Sequence, residues 1–116
     1  MPLNTSDPRA ALLIGSEPAL QRLIHLARER VHAKQVWLFG SRTRGDARPD
    51  SDWDILLILP DDAPECDMDP ATVWRIGRDS GLLADVLVDR DEDLQAAADV
   101  VNTLAFIVPR EGIRLG

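Results

Sequence analysis

Cysteine and tyrosine are nearly missing from this sequence of 116 residues, which has one cysteine, Cys66, and no tyrosine. A single cysteine excludes a disulfide within the chain and a zinc site made of several cysteines, and it suits a reducing compartment. Without tyrosine, the chain cannot modify itself on a tyrosine hydroxyl. Because Cys66 lies in an acidic segment, we interpret it as an exposed free thiol.

Long hydrophobic runs are also missing. No apolar run approaches the roughly 20 residues that span a bilayer. The first ten residues, MPLNTSDPRA, lack the charged and apolar regions of a signal peptide. We therefore predict a cytoplasmic protein that does not enter a membrane.

Basic residues are outnumbered, with 13 Lys and Arg against 20 Asp and Glu and a formal net charge of -7. A protein that binds nucleic acid nonspecifically needs a basic face for the phosphates, so we expect no direct contact with nucleic acid. A phosphorylated ligand would need metal ions or a local group of basic side chains to overcome the overall negative charge.

The length and the hydrophobic content of the sequence fit one domain. Its 116 residues fit a single core, and 45% of them are hydrophobic. Residues 1–15, which include Pro2, Asp7 and Pro8, are predicted to be a flexible lead-in. Residues 16–116 are predicted to form the domain.

The spacing of apolar residues predicts the first elements. From about Ser16, apolar residues recur at the 3.6-residue spacing of a helix that buries one face. These residues are Leu20, Leu23, Ile24, Ala27 and Val31. Val36–Phe39 and Asp52–Leu59 are predicted strands joined by a turn-rich loop at residues 41–51. The unbroken apolar run Ile55–Leu59 predicts that the second strand is central and covered on both faces.

The remaining elements are shorter. They are a helix at Ala71–Arg78, a strand at Asp85–Asp89, helical stretches at Asp91–Ala98 and Val101–Val108, and an edge strand at Gly112–Leu115. This order predicts an α/β domain of the α+β type, with one small mixed sheet flanked by helices. We expect the tryptophans, Trp37, Trp53 and Trp74, to pack in the core, and His25 and His32 to lie at the surface.

Aspartates stand at the starts of two predicted strands. Alternation along a strand directs Asp52 and Asp54 to one side, about 7 Å apart, and Trp53 to the other. Such a pair is either solvated or a site for a hard cation such as Mg²⁺. If the strand of Asp85 lies beside that of Asp54, three carboxylates face one cleft and could bind two ions. Asp89, at the far end of its strand, suits a turn or helix cap better.

Residues suited to phosphate follow the first predicted strand. Gly40 lets the backbone approach a ligand closely, and Ser41 adds a hydroxyl. Arg42 and Arg44 place two guanidinium groups beside this turn, and such groups match phosphate oxygens. A Gly-Ser turn or an Asp-x-Asp pair alone is more often structural or solvated. Their combination indicates phosphoryl or nucleotidyl transfer.

The segment LFGSRTRGDARPDSDWDILLI resembles a known family. Gly40 and Ser41, ten further residues, and then Asp52 and Asp54 match the G-S-x(10)-D-x-D motif of the DNA polymerase beta-like nucleotidyltransferase superfamily. The flanking residues closely resemble the minimal nucleotidyltransferase (MNT) proteins of prokaryotes. The resemblance therefore implies a nucleotidyltransferase fold.

Later segments extend the resemblance over about residues 17–116. Ala84–Val88 resembles the strand that carries the family's third aspartate. Arg110–Leu115 resembles the family's R-E-G-x-x-L tail, although Gly116 stands where an aromatic residue is common.

The resemblance implies an activity and a partner. MNT proteins are often encoded beside a HEPN-domain protein, an RNase-like toxin, and the MNT antitoxin transfers AMP from ATP to a toxin tyrosine. A hetero-oligomer with the toxin is therefore expected. The residues implied to bind the triphosphate of ATP are Gly40, Ser41, Arg42 and Arg44. Those implied to bind a pair of Mg²⁺ ions and to support catalysis are Asp52, Asp54 and Asp85.

Two other functions stay open at this point. The protein could neutralise a toxin by binding alone, without chemistry. It could also modify a small molecule, as aminoglycoside nucleotidyltransferases do, although those usually carry an additional substrate-binding domain. The segment between Pro49 and Arg75 contains acidic residues and no basic one, so it could also meet a basic partner.

Overall fold

Helices and strands are interspersed along the chain. A computed structural model describes residues 7–45, 47–49 and 51–116. The helices in this part of the chain are α1 (Pro8–Ser16), α2 (Pro18–Val31), α3 (Ser41–Arg44), α4 (Pro70–Ser80), α5 (Asp91–Ala96) and α6 (Leu104–Glu111), with a 3₁₀ turn at Glu65–Met68. The strands are β1 (Gln35–Phe39), β2 (Trp53–Leu59), β3 (Ala84–Arg90) and β4 (Ile113–Arg114).

The described strands form one mixed sheet in the order β3-β2-β1-β4. Strand β2 pairs antiparallel with β1 and parallel with β3, and the short β4 pairs antiparallel with β1. The parallel pair requires a crossover, and α4 lies in that connection. The predicted α/β domain with a small mixed sheet flanked by helices is confirmed.

Strand β2 is buried on both faces because its residues are apolar from Ile55 onward. Ile55, Leu57 and Leu59 belong to the larger core, which includes the buried residues of α2 and α4. Leu56 and Ile58 point to the opposite face and pack in a second cluster with residues of α5 and α6. The sequence-based prediction of a central strand covered on both sides is therefore confirmed.

Helix α2 buries the predicted apolar stripe. Its buried residues are Leu20, Leu23, Ile24, Ala27 and Val31. Pro18 occupies the first turn, where its missing N–H removes no helical hydrogen bond. The helix ends at His32, whose left-handed backbone (φ 55°) lets its N–H donate to the Ala27 carbonyl.

The predicted lead-in contains a helix. Residues 1–6 lie outside the described residues, but Pro8–Ser16 is helical, and Ala10 is fully buried. This part of the predicted lead-in is therefore a helix that contributes Ala10 to the core. Asp7 accepts a hydrogen bond from the Arg9 N–H at 3.0 Å, so Asp followed by Pro starts a helix here. The predicted domain boundary at residue 16 falls at the end of this helix.

The last two helices differ from their predicted bounds. Helix α5 ends at Ala96, earlier than predicted. Helix α6 was expected from Val101 and begins at Leu104, because the Thr103 side chain caps it there. Pro109 lies inside this helix rather than after its end.

The sequence-based prediction is wrong about the burial of one tryptophan. Trp53 is buried and Trp37 is half-buried, but Trp74 is 61% exposed. Helix α4 buries the stripe that contains Val73 and Ile76, and Trp74 lies beside this stripe, under the Arg78 guanidinium.

The remaining surface predictions concern single residues and membrane contact. Cys66, His25 and His32 are exposed, as predicted. Within the described ranges, no helix is long and apolar enough to cross a membrane.

Candidate active site

Three segments of the chain meet at one end of the strands of the sheet. Strand β1 ends at Phe39, and β2 and β3 begin near Asp54 and Asp85. Phe39 is opposite Asp54 in the antiparallel pair, and Asp54 is opposite Asp85 in the parallel pair. Residues opposite each other point to the same face, so Asp54 and Asp85 lie side by side, and Gly40 follows next to them.

Gly40 is fitted closely to Asp54. Its backbone (φ 81°, ψ -153°) lies in a region that is essentially restricted to glycine. A Cβ atom added there would overlap the Asp54 carboxylate. The Gly40 carbonyl also accepts hydrogen bonds from the Thr43 N–H at 3.0 Å and the Thr43 hydroxyl at 2.7 Å. The one-turn helix α3 that follows lies within the predicted loop and begins at Ser41, which is half-buried.

Asp54 is the electrostatic centre of this end of the strands. Burial, together with the negative charges of Asp85 and Asp52, raises the pKa of the Asp54 carboxyl above its usual range. The Arg44 guanidinium opposes this rise in the pKa by its positive charge. The charges of Asp52, Asp85 and Arg44 therefore all act on the Asp54 carboxyl.

The solvent exposure of the three aspartates differs. Asp52 precedes the first residue of β2 and is exposed, whereas the prediction placed it inside the strand. Asp54 is half-buried, and Asp85 is exposed on β3. Asp54 is therefore the least exposed of the three aspartates.

Arg42 stabilises the loop before β2. Its Nη2 donates to the Ser51 carbonyl at 2.6 Å, and its guanidinium lies 4.2 Å from the centre of the Trp53 ring. Ser51 in turn accepts a hydrogen bond from the Arg48 N–H at 2.8 Å through its hydroxyl. The two predicted phosphate-binding arginines therefore differ, because Arg42 is engaged with the loop whereas the charge of Arg44 acts on Asp54.

The carboxylates of Asp52, Asp54 and Asp85 are of the ligand type that binds divalent cations. Among residues 7–45, 47–49 and 51–116, no group of three Asp, Glu, His or Cys side chains converges as a set of metal ligands. The donor set is nonetheless all oxygen, as Mg²⁺ prefers, and its members repel one another. Burial and then the repulsion by Asp85 and Asp52 raise the pKa of Asp54; a bound cation would offset the repulsion, and Asp52, Asp54 and Asp85 are the residues that would hold it.

A cavity of about 520 Å³ lies farther along the same sheet face, between the sheet and helices α5 and α6. Its lining includes Trp37, Leu56, Ile58 and Val108, and none of the seven predicted site residues. The candidate site is therefore the place where β1 ends and β2 and β3 begin, and not this cavity.

Asp89 does not join the aspartates at the strand starts. It lies at the other end of β3, where its carboxylate accepts a hydrogen bond from the Arg90 N–H at 2.9 Å. Burial is the main cause that raises the pKa of Asp89. The contact agrees with the predicted turn role.

Sequence reasoning missed the structural partners of the site. Trp53 supports Arg42, and Ser51 ties the loop to both Arg42 and Arg48. The only sequence signal for Trp53 was its position between Asp52 and Asp54, which directs it to the opposite face.

Comparisons with known proteins show the family of this chain. The sequence profile of the nucleotidyltransferase domain matches residues 20–113. Because the match spans most of the chain, the protein belongs to the nucleotidyltransferase domain family. No curated protein sequence matches the chain at a significant level.

A solved structure has the same fold. The crystal structure of a candidate nucleotidyltransferase from Sulfolobus solfataricus matches with a TM-score of 0.59. The match covers 94% of this chain and 88% of that chain, at 19% sequence identity. The likeness supports the fold described above.

Replacing Gly40 with alanine should destabilise the protein more than the same change at Gly45. Gly45 also has a positive φ (79°), but a Cβ there meets nothing within 4 Å. Gly45→Ala should cost about 1–2 kcal/mol through its left-handed backbone. Gly40→Ala should cost about 1–3 kcal/mol through its backbone and a similar amount through overlap with Asp54. Urea unfolding measures both, and an equal or smaller loss for Gly40→Ala would contradict the close fit.

Replacing Asp54 with asparagine should stabilise the protein at neutral pH. The raised pKa of Asp54 means that the folded state holds this proton more tightly than the unfolded state. Stability is therefore lost as pH rises from about 3.9, the unfolded value, through the folded pKa. Asp54→Asn removes this loss, so its gain in Tm should be largest at pH 8 and shrink as the pH falls toward 4.

Asp79→Asn provides a control of opposite sign. Hydrogen bonds from Arg78 and Arg30 lower the pKa of Asp79, so its contribution is present at neutral pH and lost as pH falls through the folded pKa. This variant should lower the Tm at pH 8 by an amount that also shrinks in acid. A Tm at pH 8 that does not rise for Asp54→Asn would contradict the electrostatic account of the site.

Proposed function

We propose that this member of the nucleotidyltransferase family is a minimal nucleotidyltransferase that transfers AMP from ATP to a tyrosine hydroxyl of another protein. We propose Mg²⁺ as its metal and a HEPN-type RNase toxin as its acceptor, so that the protein acts as an antitoxin in a complex with that toxin. The observation that carries the transferase proposal is the side-by-side register of Asp54 and Asp85 next to Gly40.

The residues at this end of the strands divide into two groups by charge. Gly40 and Ser41 offer backbone and hydroxyl groups to a triphosphate, and Arg44 offers a positive charge that already acts on Asp54. Asp52, Asp54 and Asp85 supply the oxygen ligands for divalent cations. Bound Mg²⁺ would neutralise the triphosphate and make the acceptor hydroxyl more acidic.

The transfer breaks one bond and forms one. The acceptor oxygen attacks the α-phosphorus of ATP, the bond from that phosphorus to the bridging oxygen breaks, and pyrophosphate leaves. We assign to Asp85, which is exposed, the role of accepting the hydroxyl proton. Alignment of the two reactants and neutralisation of charge supply most of the catalysis in such reactions.

Two features of the chain favour an acceptor on another protein. The sequence contains no tyrosine, so a tyrosine acceptor must come from elsewhere. The formal net charge of -7 favours a basic partner, as expected of a protein that binds RNA.

Mass spectrometry of a reconstituted reaction tests the proposal. The protein, the product of its neighbouring gene, ATP and Mg²⁺ are mixed, and both chains are weighed. We expect one or more AMP masses on the neighbouring protein and none on this chain. Asp52→Ala should lower the rate at least about 10³-fold, because it removes a ligand of the charge-neutralising ions.

Asp62→Ala is the matched control, because Asp62 is an exposed aspartate in the loop after β2, away from the site. It should retain the wild-type rate, and circular dichroism should show that both variants are folded. Neutralisation of the partner by Asp52→Ala, with no added mass in the wild-type reaction, would instead establish inhibition by binding alone. Transfer of AMP only to small molecules would also contradict the proposed acceptor.

A further inference from the structure

Strand β3 forms an edge of the described sheet. It pairs with β2 on one side, where the Leu83 carbonyl accepts from the Trp53 N–H at 2.9 Å. Backbone groups alternate in direction along a strand, so those of Ala84, Val86 and Val88 point away from β2. The Arg90 N–H follows the same alternation and is bound by the Asp89 side chain instead of by β2. The outer side of β3 therefore offers hydrogen-bonding groups to another strand.

An exposed stripe of side chains runs beside this edge and includes Asp85. Residues at intervals of two share one face of a strand, so Leu83, Asp85, Leu87 and Asp89 lie in one row. Leu83 is 66% exposed, Leu87 is 38% exposed, and both rank among the exposed large hydrophobic residues of the chain. Asp85 is thus flanked on both sides by accessible apolar side chains.

We propose that the acceptor protein docks an extended segment along the free edge of β3, with the modified tyrosine beside Asp85. This inference rests on the proposed function and specifies how the acceptor reaches the same site. The added strand would obtain its main-chain hydrogen bonds from Ala84, Val86 and Val88, as in other complexes formed by strand addition. Apolar side chains of the segment would cover Leu83 and Leu87.

The spacing of the strands explains why the modified residue would be tyrosine and not serine or threonine. Neighbouring strands lie about 4.8 Å apart, so a segment docked on β3 is about two spacings, or roughly 10 Å, from β2 and Asp54. The hydroxyl of serine or threonine is attached at Cβ and stays over the docked strand. The hydroxyl of tyrosine lies beyond a six-membered ring, which can extend over Asp85 towards Asp54.

The charges of the stripe disfavour one symmetric pairing of β3 with a second copy of this chain. A symmetric antiparallel pair of β3 strands centred on Leu87 would place Asp85 of each copy opposite Asp89 of the other. Like charges directly opposite each other destabilise a strand pair. A segment that places its tyrosine beside Asp85 and a basic side chain beside Asp89 has no such cost, so the proposed occupant is a basic, tyrosine-containing segment of the acceptor.

A synthetic peptide tests this docking directly. The probe is acetylated Val-Thr-Tyr-Thr-Val-Thr-Lys-amide, which places valines against Leu83 and Leu87, tyrosine beside Asp85 and lysine beside Asp89. Amide hydrogen exchange followed by NMR should show that the peptide slows exchange at Val86 and Val88 at least tenfold. The peptide with serine in place of tyrosine should give the same protection but accept no AMP.

Matched variants separate this surface from general hydrophobic binding. Leu87→Lys should weaken peptide binding at least fivefold. Leu12→Lys should leave it within twofold of wild type, because Leu12 is 74% exposed on α1, away from β3. No binding at about 1 mM peptide, or equal effects of the two substitutions, would overturn the docking proposal.

The outcomes distinguish the docking from the proposed function. Transfer of AMP to the peptide without protection of Val86 and Val88 overturns the docking and leaves the transferase standing. Protection of both amides without transfer to the peptide or to the neighbouring protein supports the docking surface and contradicts the transferase.

Discussion

The close approach of Asp54 to Gly40 is the constraint on which the site depends. Pairing of β1 with β2 places Phe39 opposite Asp54, so Gly40, the residue after β1, meets the carboxylate. Only a residue without a Cβ fits there, because a Cβ on Gly40 would overlap Asp54. Once this contact is made, the turn at Ser41 and the start of β2 are fixed relative to each other. The Gly40–Ser41 turn and the acidic residues at the strand starts are thereby joined.

The packing of the fold holds the site in place, whereas the negative charges of the site destabilise the folded state. Burial and neighbouring carboxylates raise the pKa of Asp54, which means that its ionised form is disfavoured in the folded protein. The apolar residues of β2, buried on both faces, and the contact of Arg42 with Trp53 hold the strand in place against this cost. A strained acidic cluster supported by a rigid sheet is the arrangement expected of a functional site.

The local pattern of the sequence was enough to predict the mixed sheet and its central strand. The apolar run Ile55–Leu59 predicted a central strand because burial on both faces leaves no alternation. The pattern could not give the exposure of Trp74, which depends on which stripe of α4 meets the sheet. Nor could it show that Arg42 binds the Ser51 carbonyl, since that contact depends on the path of the loop. The pattern did not reveal the helix after Asp7, because Asp7 and Pro8 were interpreted as signs of irregular chain and not as the start of a helix.

The central claim is that Asp52, Asp54 and Asp85 form one anionic site that a divalent cation neutralises. The most direct measurement is a carbon-13 NMR titration of the Asp54 carboxyl, first without metal and then with Mg²⁺ and a nonhydrolysable ATP analogue. The account predicts a pKa above the ordinary value of 3.8 without metal and a lower pKa with Mg²⁺ bound. An ordinary pKa that does not change with Mg²⁺ would contradict it.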